Sequence, residues 1–83
     1  MKYQCPCCGF YTFEEPPDGN YDICPVCYWE DDPVQSADET YDGGANHVSL
    51  AQARRNFLEF GACERECIPY VRAPLEDEKA PPN

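Results

Sequence analysis

The spacing of the cysteines constrains this chain more than anything else in it. Seven cysteines occur in 83 residues, and four of them form two Cys-x-x-Cys pairs, Cys5 with Cys8 and Cys24 with Cys27. Two intervening residues let both sulfurs of a pair point at one ion about 2.3 Å away. Proline follows the first cysteine of each pair, at Pro6 and Pro25. There it pre-sets φ for a tight turn and removes an N–H. Gly9 follows Cys8 and accepts the positive φ that lets backbone amides face the sulfurs. Two thiolates from each of two turns make a four-cysteine metal site, with Cys5, Cys8, Cys24 and Cys27 as ligands. Four thiolates suit zinc and also suit a single iron, and zinc is the preferred reading. A redox Cys-x-x-Cys sits instead at a helix N-terminus that lowers one thiol pKa. Here both pairs border aromatic, strand-like segments.

The length leads one to expect a metal or disulfide staple. A chain of 83 residues is one small domain that buries only about two-thirds of its unfolded surface, so its apolar core is marginal. Hydrophobic residues form 42% of the chain, enough to exclude simple disorder. No apolar run approaches the roughly 18 residues that span a bilayer. Met1-Lys2-Tyr3-Gln4-Cys5 carries no apolar leader, so a cytoplasmic location is expected, where clustered cysteines point to metal before disulfides. Sixteen acids oppose six bases, a formal net charge of −10. Bulk attraction to nucleic acid or to an anionic membrane is thereby excluded. The acidity is uneven. Residues 1–45 hold only Lys2 against ten acids, while residues 46–72 hold four arginines against three glutamates.

Between the pairs, Gly9 to Phe13 reads as a strand, and Tyr21-Asp22-Ile23 as a second short one. Glu14 to Asn20 breaks regular structure, with Asp18-Gly19 as the turn. Asp31 to Asn46 reads as a long, acidic, solvated loop. Its acids lack the alternating spacing and distal glutamate of an EF-hand calcium loop. Asp42-Gly43-Gly44-Ala45-Asn46 lacks the lysine of a phosphate-binding loop and reads as a tight turn. One amphipathic helix is expected from Ser49, whose hydroxyl caps Gln52 while the Gln52 side chain reaches back. Leu50, Ala53, Phe57 and Phe60 form its apolar stripe, and Gly61 ends it. The expected fold is therefore small α+β: a rubredoxin-like zinc ribbon of short antiparallel strands with one helix, spanning residues 1–72. Residues 73–83, with Pro74, Pro81 and Pro82, read as a disordered tail.

Other residues take plainer roles. Cys7 is the x residue of the first pair and reads as a small packed hydrophobe. Cys63 is expected to pack against the ribbon. A second metal site from Cys7, His47, Cys63 and Cys67 is arithmetically open but not preferred. His47 reads as a polar loop residue. Trp29 reads as core rather than as an exposed anchor for a partner.

The two Cys-Pro-x-Cys knuckles resemble those of rubredoxins, with a departure at Tyr28, where that family has glycine. A longer set of motifs is more distinctive. Cys5-Pro6-Cys7-Cys8-Gly9, Glu15-Pro16-Pro17, Ile23 to Asp32, Gly43 to Asn46, Ser49-Leu50, Ala53-Arg54 and Phe57 to Cys63 together resemble the bacterial CPCC-type cysteine-rich proteins. Cys67 falls outside those motifs. The resemblance implies the knuckle pair and an adaptor or toxin-immunity type of role, and it supplies no reaction. No nucleophile–base pair or carboxylate dyad stands in a recognisable frame, so an enzyme is not expected. The expected function is a zinc-stabilised interaction module with a basic protein partner. An iron electron carrier is the first alternative. A nucleic-acid reader using Arg54, Arg55, Arg65 and Arg72 is the second.

Overall fold

A computed structural model describes residues 2–80. Strand β1 (Tyr3–Gln4) pairs antiparallel with β2 (Tyr11–Phe13), and the first knuckle is the turn between them. The second knuckle is framed in the same way by a single antiparallel bridge, Ile23 with Glu30. Two knuckles are thus carried on two minimal hairpins. The expected small α+β class holds, although the regular strand is shorter than Gly9–Phe13 and the segment at Tyr21–Ile23 contributes one bridge only.

The expected helix is α2 (Leu50–Phe60) once α1 (Pro33–Ala37) is counted. Ser49 Oγ accepts from the Gln52 N–H at 3.1 Å, and Gly61 closes the helix in the left-handed conformation. The reciprocal half of the expected cap does not form. The Gln52 side chain turns along the helix to Asn56 and Arg55 instead. Leu50 and Ala53 are buried, and Phe57 meets Phe10 edge to face at 6.0 Å. Phe60 lies under the Arg65 guanidinium at the margin of the stripe.

The segment 31–46 departs most from expectation. Asp32 and Pro33 start α1: the carboxylate of Asp32 accepts from Val34 and Gln35, and proline occupies the first helical position, where no N–H is needed. Gln35 is fully buried and ties the loop together. Its amide donates to the carbonyls of Tyr41, Asn46 and Val48, and its oxygen accepts from Asn46. Asn46 in turn pairs with both backbone groups of Glu30. A Cβ on Gly44 would stand 2.5 Å from an Asp32 carboxylate oxygen and 2.7 Å from Gln35, so only glycine fits that approach. Asp31 and Asp32 are therefore not part of a solvated acidic face; both are buried and bind backbone amides.

Residues 73–80 also differ from the expected disordered tail. Glu76–Glu78 form a 3-10 turn, and the buried Glu78 carboxylate takes both Arg72 nitrogens at 2.9 Å. Residues 81–83 of the expected tail lie outside the described residues. Among the described residues, no helix is long and apolar enough to cross a membrane.

Five of the ten buried residues in the core cluster are cysteines: Cys5, Cys7, Cys24, Cys27 and Cys63. The large apolar side chains around them are few, chiefly Trp29, Phe13 and Leu50. Trp29 is fully buried, as expected of a core residue rather than a partner anchor. A core with so few large apolar side chains is only weakly stabilised by burial alone.

Candidate metal centre

The two knuckles have matching backbones, offset by nineteen positions. The Cys5 N–H donates to Phe10 O at 2.8 Å, and the Cys24 N–H donates to Trp29 O at 2.9 Å. Gly9 N–H returns to Cys5 O at 2.9 Å, and Tyr28 N–H to Cys24 O at 2.8 Å. The residue after the second cysteine has positive φ in both, 81° at Gly9 and 71° at Tyr28. The sequence departure at Tyr28 therefore changes the side chain and not the turn. The Tyr28 ring stacks on Tyr70 with centroids 5.4 Å apart, which helps hold the unfavourable conformation.

The knuckles bring Cys5, Cys8, Cys24 and Cys27 together. All four sulfurs lie within 4.8 Å of one another. Cys5 Sγ to Cys27 Sγ and Cys8 Sγ to Cys24 Sγ are each 3.7 Å. A tetrahedron of sulfurs about 2.3 Å from a central ion has edges of about 3.8 Å. The separations are far beyond the roughly 2.05 Å of a disulfide. Cys5, Cys24 and Cys27 are buried, and Cys8 is partly exposed. This arrangement can hold a metal ion.

The protonation pattern suits a cation. Hydrogen bonds from Cys27, Cys5 and Cys8 hold the Cys24 thiol well below its ordinary value, and Thr12 adds to the effect. Thr12 Oγ1 lies 3.1 Å from Cys24 Sγ, and the Trp29 N–H donates to Cys27 Sγ at 3.4 Å. A thiolate at Cys24 then pushes Cys5, Cys8 and Cys27 upward, chiefly through their hydrogen bonds to it. One thiolate is favoured without a cation, and a bound cation would displace the remaining protons.

Elements far along the chain brace the knuckles. Arg54 on α2 donates through Nε to Pro6 O at 2.8 Å and pairs with Glu39 at 2.7 Å. The Arg72 N–H reaches Pro25 O at 3.2 Å, and the Cys63 N–H reaches Cys27 O at 2.8 Å. Cys7 and Val26 hold the same place in their knuckles, and both are buried. This matches the packed-hydrophobe reading of Cys7. His47 is exposed and contacts Glu64. Thr12, Arg54, Arg72 and Glu78 support the site without having been expected to. Their partners are distant in sequence, and no local spacing signals such bonds.

No curated protein matches the chain. The model of the cysteine-rich CPCC family matches residues 3–78, nearly the whole chain and both knuckles, and the protein belongs to that family.

Proposed function

We propose that this protein is a small interaction module whose fold is held by one zinc ion on Cys5, Cys8, Cys24 and Cys27. The observation that carries this reading is the set of four clustered sulfurs with 3.7 Å edges. Three of the four are buried in a core otherwise poor in large apolar groups. Four protein thiolates complete a tetrahedral shell and leave no corner for an activated water, which supports a structural rather than a catalytic ion. Four thiolates around a divalent ion carry a net −2, which adds to the acidity of the chain. Glu15, Asp18, Asp22 and Asp42 are exposed. Such acids suit a basic protein partner in a reducing, cytoplasmic setting, as an adaptor or immunity protein would require. Nucleic-acid reading is the weaker fit, because Arg54 and Arg72 are engaged within the molecule.

The same four thiolates suit iron, so the test is metal analysis with a visible spectrum of protein purified from cells. Colourless protein with one zinc per chain is expected. A red protein with a reversible redox couple would make it an electron carrier. Partner capture is expected to weaken as salt rises, and salt-insensitive capture would remove the electrostatic part of the reading.

A further inference from the structure

A second group of ligand-type side chains lies outside the four-cysteine cluster. It lines a cleft of about 140 Å³ between the second knuckle and the chain that follows α2, bordered by Ile23, Tyr28, His47, Cys63, Glu64 and Cys67. Cys63 Sγ is 3.9 Å from Cys67 Sγ. Cys67 Sγ is 3.7 Å from Glu64 Oε1, and that oxygen is 3.1 Å from His47 Nδ1. In a tetrahedral zinc site with mixed donors, the sulfur–sulfur, sulfur–oxygen and oxygen–nitrogen edges are about 3.8, 3.6 and 3.4 Å. Three of the six edges of such a polyhedron are thus near those lengths, and a second carboxylate, Glu66, also lies within 4.8 Å of the His47 and Glu64 ligand atoms.

The state of Glu64 is the independent observation. Its side chain is only 17% exposed, yet no lysine or arginine among the described residues pairs with it. Its carboxylate has a thiol and an imidazole as side-chain neighbours. Both are metal-ligating groups. Arg65, next in sequence, lies over Phe60 and reaches toward Glu59, so it makes no ion pair with Glu64. The Cys63 backbone is fixed by its bond to Cys27, which anchors one corner. His47 is 75% exposed on its side chain, and its Nδ1 already stands 3.1 Å from the Glu64 carboxylate.

We propose that Cys63, Cys67, Glu64 and His47 form a second site for a thiophilic divalent cation such as Zn²⁺, more open and more readily exchanged than the four-cysteine centre. Two sulfurs, one carboxylate oxygen and one imidazole nitrogen are a donor set that zinc accepts. Cys7 takes no part. The proposal goes beyond the interaction-module reading and stands whichever ion fills the first site.

The test titrates Co²⁺, then Zn²⁺, into full-length, fully reduced protein whose first site is already filled. The readouts are native mass spectrometry and the visible cobalt spectrum. Wild-type protein is expected to take a second equivalent, with a spectrum of weaker thiolate charge transfer than a four-sulfur site. Cys67→Ser and His47→Asn are expected to weaken that equivalent by about tenfold or more, while the first is retained and the fold is unchanged by circular dichroism. Both residues are partly or largely exposed, so the variants are expected to fold. A wild-type protein that stops at one ion overturns the proposal. So does a second equivalent that survives both substitutions unchanged.

Discussion

Tyr28 occupies a backbone conformation that a glycine occupies in the matching knuckle, with φ of 71° against 81° at Gly9. A side chain in that region costs about 1–2 kcal/mol, and the stack on Tyr70 offsets part of it. Tyr28→Ala loses the stack and keeps the strain, whereas Tyr28→Gly loses the stack and the strain together. The glycine variant is therefore expected to be more stable than the alanine variant by about 1 kcal/mol, measured by chemical denaturation of metal-loaded protein. At Cys24, substitution by serine is expected to abolish tight metal binding and lower thermal stability sharply. Retention of one tightly bound ion in Cys24→Ser would remove Cys24 from the ligand set. The four cysteines were legible in the sequence because their chemistry is written in local spacing: a two-residue gap and a proline suffice. Thr12 was not legible, because its hydroxyl meets Cys24 only after two hairpins have folded onto each other.

Among the elements, α2 was readable from both ends, since Ser49 and Gly61 act through bonds within one turn of chain. The signal for α1 was also present, as Asp32 before Pro33, but an acidic run disguised a cap. What no pattern reveals is the burial of Gln35, whose bonds run to residues 6 to 13 positions away. Gln35→Ala removes two N–H donors shared among three carbonyls and the oxygen that accepts from Asn46, at about 1 kcal/mol per bond. A loss of about 3 kcal/mol is expected, with faster hydrogen exchange confined to residues 31–48. The 3-10 turn at Glu76–Glu78 depends on Arg72 in a comparable way. Arg72 holds the Glu78 carboxyl below the ordinary carboxylate range, with the Leu75 N–H assisting. Because the docked value is the lower one, the stabilisation is complete above the pH where a free glutamate ionises. It is lost as pH falls through the docked value. Carbon-detected NMR of Glu78 is expected to show that depressed titration. Arg72→Ala is expected to cost about 1–3 kcal/mol, since it leaves a buried carboxylate unpaired.

The whole molecule is a shell of loops around sulfur, and the fold class followed from the cysteine spacing together with the short strand and helix signals. The placement of residues 73–80 did not follow, because proline and charge mark a tail equally well whether or not one glutamate is buried against an arginine. Ion binding to a structural site contributes on the order of 10 kcal/mol, against a net stability of about 5 kcal/mol for a chain this small. Removing the ion with a chelator is therefore expected to unfold the protein as a unit. Trp29, the single tryptophan and fully buried, reports the event. Its fluorescence is expected to shift to the red in step with metal release. An unshifted spectrum after complete release would show that packing alone sustains the core.

The unequal burial of the four sulfurs has a kinetic side. Cys5, Cys24 and Cys27 are buried, while Cys8 is partly exposed on an open cleft. Any reagent that competes for a bound ion is expected to meet Cys8 first. Exchange of a bound ion is then expected to proceed one sulfur at a time from that corner. Brief alkylation of loaded protein is expected to mark Cys8 well before its three partners.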